Sequence, residues 1–330
     1  MHIPDTYLGP MGYIPLFIIM IPIWLYASYR LNKELRSRQV PLLALAAAFA
    51  FVIMMFNIPM PGGTSGHMVG AALISIILGP WAAVVAMTVT LVIQAFVMRD
   101  GGITAIGANC FTMAFLMPVS AYITYRVISS RSGATSLRRL LAAAVAGFVS
   151  LVIGGVATGF ILGSQYPQFF PYAYNVSLPA MLIDSLFFGI FEAVVTGLIF
   201  AYIQRNDPSL IAGKAKVPAT VTQKSNSKLV RNLLIGLAAL VVLTPIGLYA
   251  SGVPFGEWSL EELQQEAGYI PSGISAGAGD LFNTPLSDYG IPGLSAPVGY
   301  VISAIVGVVL CGGLLYLAML WAKKKEKAEE

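Results

Sequence analysis

Charge is the scarcest commodity in this sequence. Only 10% of its 330 residues are Asp, Glu, Lys or Arg, against about 25% in an average soluble domain. So few charges cannot cover a water-facing globular surface, which argues against a soluble protein. Between Arg38 and Arg99 there is no charged residue at all. Cysteine is nearly missing as well. Cys110 and Cys311 are the only two, both in apolar runs, so a disulfide framework or a thiolate metal cluster is not indicated. The composition also excludes collagen and disorder. Histidine is limited to His2 and His67.

Apolar residues are abundant, at 57% of the chain. A membrane-spanning helix needs about 20 of them in succession. Apolar segments run over 11–29, 40–57, 66–79, 81–98, 103–126, 139–163, 177–203, 230–250 and 297–322. They predict an all-α integral membrane protein of about nine spans, the third short and stopped at Gly79-Pro80. With the N-terminus outside, alternation puts Arg30, Lys33, Arg36 and Arg38 on the inner side. Arg126, Arg131, Arg138 and Arg139 follow there, then Arg205, Lys214, Lys216, Lys224, Lys228 and Arg231, and finally Lys323, Lys324, Lys325 and Lys327. Only Arg99 falls outside, so the positive-inside rule favours N-outside and C-inside. The net charge of +4 is topology writing and not a nucleic-acid surface. The N-terminus lacks the basic start of a secretory signal, and it is expected to persist as Met1.

The organisation reads as a seven-helix unit over 1–203, a polar cytoplasmic linker over 204–229, and a helical hairpin over 230–330. The hairpin carries a long outer loop, 252–296, with Glu257, Glu261, Glu262, Glu266, Asp280 and Asp288 and no Lys or Arg. Within it, Ser259–Ala267 predicts a short helix, with Ser259 as cap and Glu262 at the third helical position.

No nucleotide-binding loop is present. Gly213-Lys214 is followed by Ala, without a glycine-rich loop before it, so this chain is not expected to bind ATP. No zinc-protease helix, nucleophile elbow, haem or iron–sulfur signature occurs, and an enzyme is not indicated. The N-terminus is different. Met1-His2-Ile3-Pro4-Asp5 offers a divalent ion the terminal amine, the deprotonated His2 amide and the His2 imidazole. Amine and amide close a five-membered chelate ring; amide and Nδ1 close a six-membered one. Planar nitrogen sites of this kind suit Ni(II) and Cu(II). A fourth donor is needed, and His67 is the other histidine. It lies in Pro61-Gly62-Gly63-Thr64-Ser65-Gly66-His67-Met68, on the same side as the N-terminus. Alone, His2 reads as a loose terminus, and His67 reads equally as a packing residue or as a functional group within a span. Together, two histidines on one side of an otherwise histidine-free chain favour a metal site.

These residues carry a resemblance. Met1-His2-Ile3-Pro4-Asp5 with Tyr7-Leu8, the run Pro61–His67, and Asp100-Gly101-Gly102-Ile103-Thr104-Ala105-Ile106-Gly107-Ala108-Asn109 resemble the CbiM/NikM family over about residues 1–205. These are substrate-capture subunits of energy-coupling-factor transporters for Co(II) or Ni(II). Thr6 stands where that family usually has Gly. Pro254-Phe255-Gly256-Glu257-Trp258, Glu261-Glu262-Leu263, Gly268-Tyr269-Ile270-Pro271 and Leu286–Gly293 are similar to the small auxiliary subunit, CbiN or NikN, here fused to the capture unit. The match is looser there, since the usual Pro-Asp-Gly-Leu-Glu core stands as Pro254-Phe255-Gly256-Glu257. The resemblance implies metal donors at Met1, His2 and His67. It also implies a coupling transmembrane subunit and cytoplasmic ATPase subunits as partners, in the cell membrane, with Ni(II) or Co(II) as cargo.

Other residues have weaker claims. Asp5 reads either as orienting His2 or as a turn residue after Pro4. Thr64, Ser65 and Asn109 read either as outer supports of the donors or as polar packing. Asp184 and Glu192 lie eight apart and share one helix face. Ala44/Ala48 and Ala46/Ala50 give small-xxx-small spacing. The resemblance makes that spacing a docking face for the transmembrane partner; internal packing explains it equally. The fusion and the planar nitrogen set tilt the cargo toward nickel. The alternatives are a cobalt importer supplying cobalamin synthesis and, more remotely, an integral membrane enzyme or assembly protein.

Overall fold

The computed structural model describes residues 1–35, 39–61, 64–130, 136–211, 227–250, 252–274 and 284–329. Among these, seven helical stretches are long and apolar enough to cross a bilayer: 10–34, 80–98, 106–129, 136–163, 174–206, 228–249 and 296–322. Helix α1 (Pro10–Glu34) is one of them. It leaves Met11, Ile14, Ile18 and Leu25 exposed. Ile190, Val194 and Leu198, four apart on α8 (Tyr174–Asn206), are exposed in the same way. Such apolar surface is a liability in water and a match to lipid. The 204–229 linker has its middle outside the described residues, since α8 ends at Asn206 and α9 (Ser227–Leu243) begins the hairpin.

The expected third span, 66–79, takes a different form. It begins in the second strand of an antiparallel pair, β1 (Ile58–Met60) and β2 (Thr64–Gly66), with Ile58 opposite Gly66. Residues 67–70 are irregular, and α3 covers only Ala71–Leu78. Gly70 has φ +76°, outside the helical region, so the helix cannot start before it. Eight residues rise about 12 Å, well short of the roughly 30 Å of hydrocarbon. Irregular backbone at such depth must be buried in protein, and residues 65–70 are buried. Helix α2 (Val40–Met54) is also short, at 15 residues, and almost wholly enclosed.

Two packing seams organise the bundle. Helix α7 (Ser136–Gly163) lies along α8 through glycines four apart. A Cβ on Gly155 would sit 2.4 Å from Ser185 Oγ, and one on Gly159 would sit 2.8 Å from the Ser177 carbonyl oxygen. Only glycine allows the two backbones to come this close. The second seam joins the hairpin to the rest. Helix α11 (Ala296–Glu329) packs on α2. Gly312 faces the Ala44 carbonyl and Ala48, and the Tyr300 hydroxyl donates to the Met55 carbonyl at 2.9 Å.

The loops of one end converge. Tyr7 donates to the Trp258 carbonyl, Gly9 N–H to Gln165, and Gly273 N–H to the Gln168 carbonyl. Helix α10 (Leu260–Ala267) has the capping box expected from its sequence: Ser259 accepts from Glu262 N–H and Glu262 from Ser259 N–H.

Candidate metal centre

The site is built on the first residues of the chain, held as an extended strap. Ile3 is completely buried. Its N–H donates to Asn109 Oδ1 at 2.8 Å, and its carbonyl accepts from Asn109 Nδ2 at 3.1 Å and from Gly102 N–H at 2.9 Å. Asn109 therefore grips Ile3 as a neighbouring strand would. Gly102 must be glycine here, because a Cβ would sit 2.4 Å from the Asp5 nitrogen. Asp5 ties the other end of the strap. Its carboxylate accepts from the N–H groups of Ile103 and Thr104 at 3.0 and 2.8 Å. It anchors the 103–104 turn and is not among the hydrogen-bonding partners of His2.

This strap delivers Met1 and His2 to the interior, 7% and 2% exposed. His67 arrives from the irregular backbone after β2, and the two imidazole centroids lie 5.1 Å apart. His67 Nδ1 lies 3.0 Å from the Met68 carbonyl oxygen. That contact fixes the proton on Nδ1 and leaves Nε2 as a free lone pair, the usual arrangement of a metal-binding histidine. The Nε2 atoms of both histidines are buried with no hydrogen-bond partner among the described residues. Buried polar atoms normally have partners, so this unused pair of acceptors fits a cation. Glu192 supports the His67 segment from α8. Its carboxylate accepts from Val69 N–H at 2.8 Å and Gly70 N–H at 3.0 Å.

Two acidic residues that sequence reading did not place in the site are there. Asp100 Oδ1 lies 3.0 Å from His2 Nδ1. The other oxygen of Asp100 accepts from the Tyr289 hydroxyl and from Gln94. Gln94 belongs to a π-helical turn, Gln94–Met98, that follows α4 (Pro80–Ile93). Such turns are frequent at functional sites. Asp100 stood in a quoted motif, but nothing in that spacing pointed it at His2. The second acid is Glu257 of the hairpin loop, whose Oε1 lies 2.7 Å from the Met1 amine. Donor atoms of His2, His67 and Glu257 all fall within 4.8 Å of one another.

Thr64 and Ser65 sit beside this cluster and reach for the hairpin. Thr64 Oγ1 donates to the Val253 carbonyl at 3.0 Å and Ser65 Oγ to the Gly252 carbonyl at 2.9 Å. Ala44, Ala48 and Ala50 are buried, the first two against α11, while Ala46 is partly exposed along α2.

Charge in the centre is tuned by burial. Burial pulls the Met1 amine down, but the charge and hydrogen bond of Glu257, with Asp184 and Asp100 behind it, leave its pKa raised above 8.0. Burial first, and then the neighbouring ammonium, push His2 down to about 4. At neutral pH the imidazole is a neutral donor and the amine is a cation held by a carboxylate.

Two imidazoles whose Nε2 atoms have no partner among the described residues, buried beside a chain terminus in a helical membrane bundle, suit a metal ion, and the relatives place the chain in the class of membrane transport proteins. Residues 2–210 match the CbiM family, the cobalt uptake substrate-specific transmembrane region, and residues 231–324 match the PDGLE domain. The chain belongs to the CbiM family, with a PDGLE domain fused behind it. It is 38% identical over 336 residues to the fused nickel transport protein NikMN of Rhodobacter capsulatus, covering 94% of each chain. It is 38% identical to the probable fused nickel transport protein LarMN of Lactiplantibacillus plantarum, over 94% of this chain and 95% of that one. A crystal structure of a truncated transition metal transporter matches at 41% identity and a TM-score of 0.57, covering 62% of this chain and 99% of the other. The protein is a multi-pass membrane transport protein and not an enzyme.

Proposed function

We propose that this chain is the substrate-binding subunit of an energy-coupling-factor importer for Ni(II) or Co(II). The Met1 amine, the His2 amide and imidazole, and the His67 imidazole capture the ion. The observation that carries the reading is the buried meeting of the chain terminus with two imidazoles, His67 presenting an Nε2 that has no hydrogen-bond partner among the described residues. A planar nitrogen set favours Ni(II), and the two fused relatives above are named as a nickel transport protein and a probable one. Copper would bind such a set more tightly, so availability contributes to selection. The chelate uses His2 Nδ1, which now faces Asp100. Loading by this chelate turns that nitrogen from the carboxylate to the ion.

The ion is captured from outside, with the N-terminus outward and the C-terminus inward. The chain works with a transmembrane coupling subunit and cytoplasmic ATPase subunits, which supply the energy. Ala46, partly exposed on α2, remains available for such docking; Ala44 and Ala48 are engaged by α11. The test measures metal bound by the purified protein and metal uptake by cells, for His2→Ala, His67→Ala and a chain with one residue added before Met1. The added residue takes the amine out of its chelate ring. Each change is expected to remove most bound metal. Normal binding and uptake by the extended chain overturn the reading.

A further inference from the structure

We infer that Glu257, from the fused hairpin, is itself a metal ligand, and that His2, His67 and Glu257 form an entry site through which the ion reaches the N-terminal chelate. The inference rests on the capture function above and adds a donor to it.

The geometry comes first. Donors sharing one ion at 2.0–2.2 Å stand about 3 to 4 Å apart. The three donor atoms here lie within 4.8 Å of one another, so small side-chain shifts complete the set. Two imidazoles and one carboxylate with an open fourth position hold divalent ions elsewhere in protein chemistry. The place beside Glu257 already holds a cation: the Met1 ammonium sits on Glu257 Oε1 at 2.7 Å. A divalent ion arriving there replaces one cation by another.

Exposure gives the order of contact. The Glu257 side chain is 15% exposed, while His2 and His67 are 2% and 5% exposed. Of the three donors the carboxylate is the one solvent reaches. An incoming ion meets it first and the imidazoles next. Its position is also built with care. Gly256 has φ +86° and packs on Leu162. Phe255 and Trp258, on either side, interlock with Phe170 and Tyr172, with ring centroids 6.0 to 6.2 Å apart. Thr64 and Ser65 bond the loop backbone at Val253 and Gly252, three residues upstream of His67 and two upstream of it respectively. The loop that carries Glu257 is thus fastened to the segment that carries His67, so the two donors are held in register.

The test is stopped-flow binding of NiCl2 and CoCl2 to the full-length protein in lipid nanodiscs, comparing native with Glu257→Gln. Gln keeps the size and an oxygen for the amine but loses the carboxylate charge. As an entry ligand, its loss slows metal association about tenfold or more, the scale on which a charge of the opposite sign at a cleft raises on-rates. If Glu257 only holds the amine, the uncharged Gln loosens that hold and association is unchanged or faster, which overturns the inference. A second measurement does not depend on that variant. X-ray absorption of Co(II) on the chain extended before Met1 is expected to show an oxygen donor alongside two imidazoles, with weakened affinity. Loss of all binding in the extended chain overturns the entry site and leaves the capture reading intact. Native affinity and a native spectrum in the extended chain instead overturn the capture reading itself.

Discussion

Asn109 is not a metal donor, yet its replacement should weaken metal binding through the strap alone. In Asn109→Ala the Ile3 N–H loses the acceptor it has among the described residues, while the Ile3 carbonyl keeps the Gly102 N–H at 2.9 Å. Ile3 is completely buried, so water does not take over. An unsatisfied buried donor costs about 1–3 kcal/mol. That cost falls on the conformation in which Met1 and His2 point inward, since releasing the strap hydrates the N–H. Binding requires the docked strap, so the full cost is charged against metal affinity once undocking competes. The expected loss is then roughly 5- to 150-fold, the factors equivalent to 1–3 kcal/mol. Isothermal titration of the purified variant with NiCl2 measures it, beside a thermal scan to show that the bundle is still folded. A folded Asn109→Ala protein with native nickel affinity refutes the argument that Ile3 hydrogen bonding positions the donors.

Two further expectations are independent of that strap. Gly155→Val places side-chain atoms where even a Cβ would be 2.4 Å from Ser185 Oγ, so α7 and α8 must separate. The expected destabilisation is about 1–3 kcal/mol or more, read as an earlier thermal transition in detergent; an unchanged transition shows that the seam is looser than described. The pH dependence of metal binding follows from the amine. Its raised pKa keeps it protonated below and around pH 8, so the ion must displace that proton, whereas His2, at about 4, is already neutral. Apparent affinity should therefore climb by about tenfold or more per pH unit from pH 6 to 8, and a flat profile in that window contradicts the amine as a donor.

Much of this architecture is legible in the sequence because lipid imposes a simple code. Hydrophobic length marks the long helices, and the capping box at Ser259 and Glu262 is a local signal that the structure reproduces. The third segment misleads for a physical reason. Its apolar length predicts a span, but Gly70 in a left-handed conformation delays the helix, and enclosure lets the backbone before it stay irregular. Glycines 155 and 159 carry a helix-packing pattern that hydropathy does not weigh. The histidines were findable through their scarcity. Glu257 was not, because it is one acid among several in a loop and its partner is 256 residues away. Thr64 and Ser65 are polar residues next to the site, but only the fold reveals that they fasten the hairpin.

The ion pair between Met1 and Glu257 also sets a schedule. It joins residues separated by 256 positions. Synthesis at 5–20 residues per second leaves the amine without this partner for roughly 10 to 50 s after it is made. Over that interval the five long helical stretches ahead of the hairpin, from 10–34 to 174–206, enter the bilayer while the first residue waits beside them. The beginning of the chain reaches its final partner only near the end of translation, so the metal centre is among the last parts of the molecule to close.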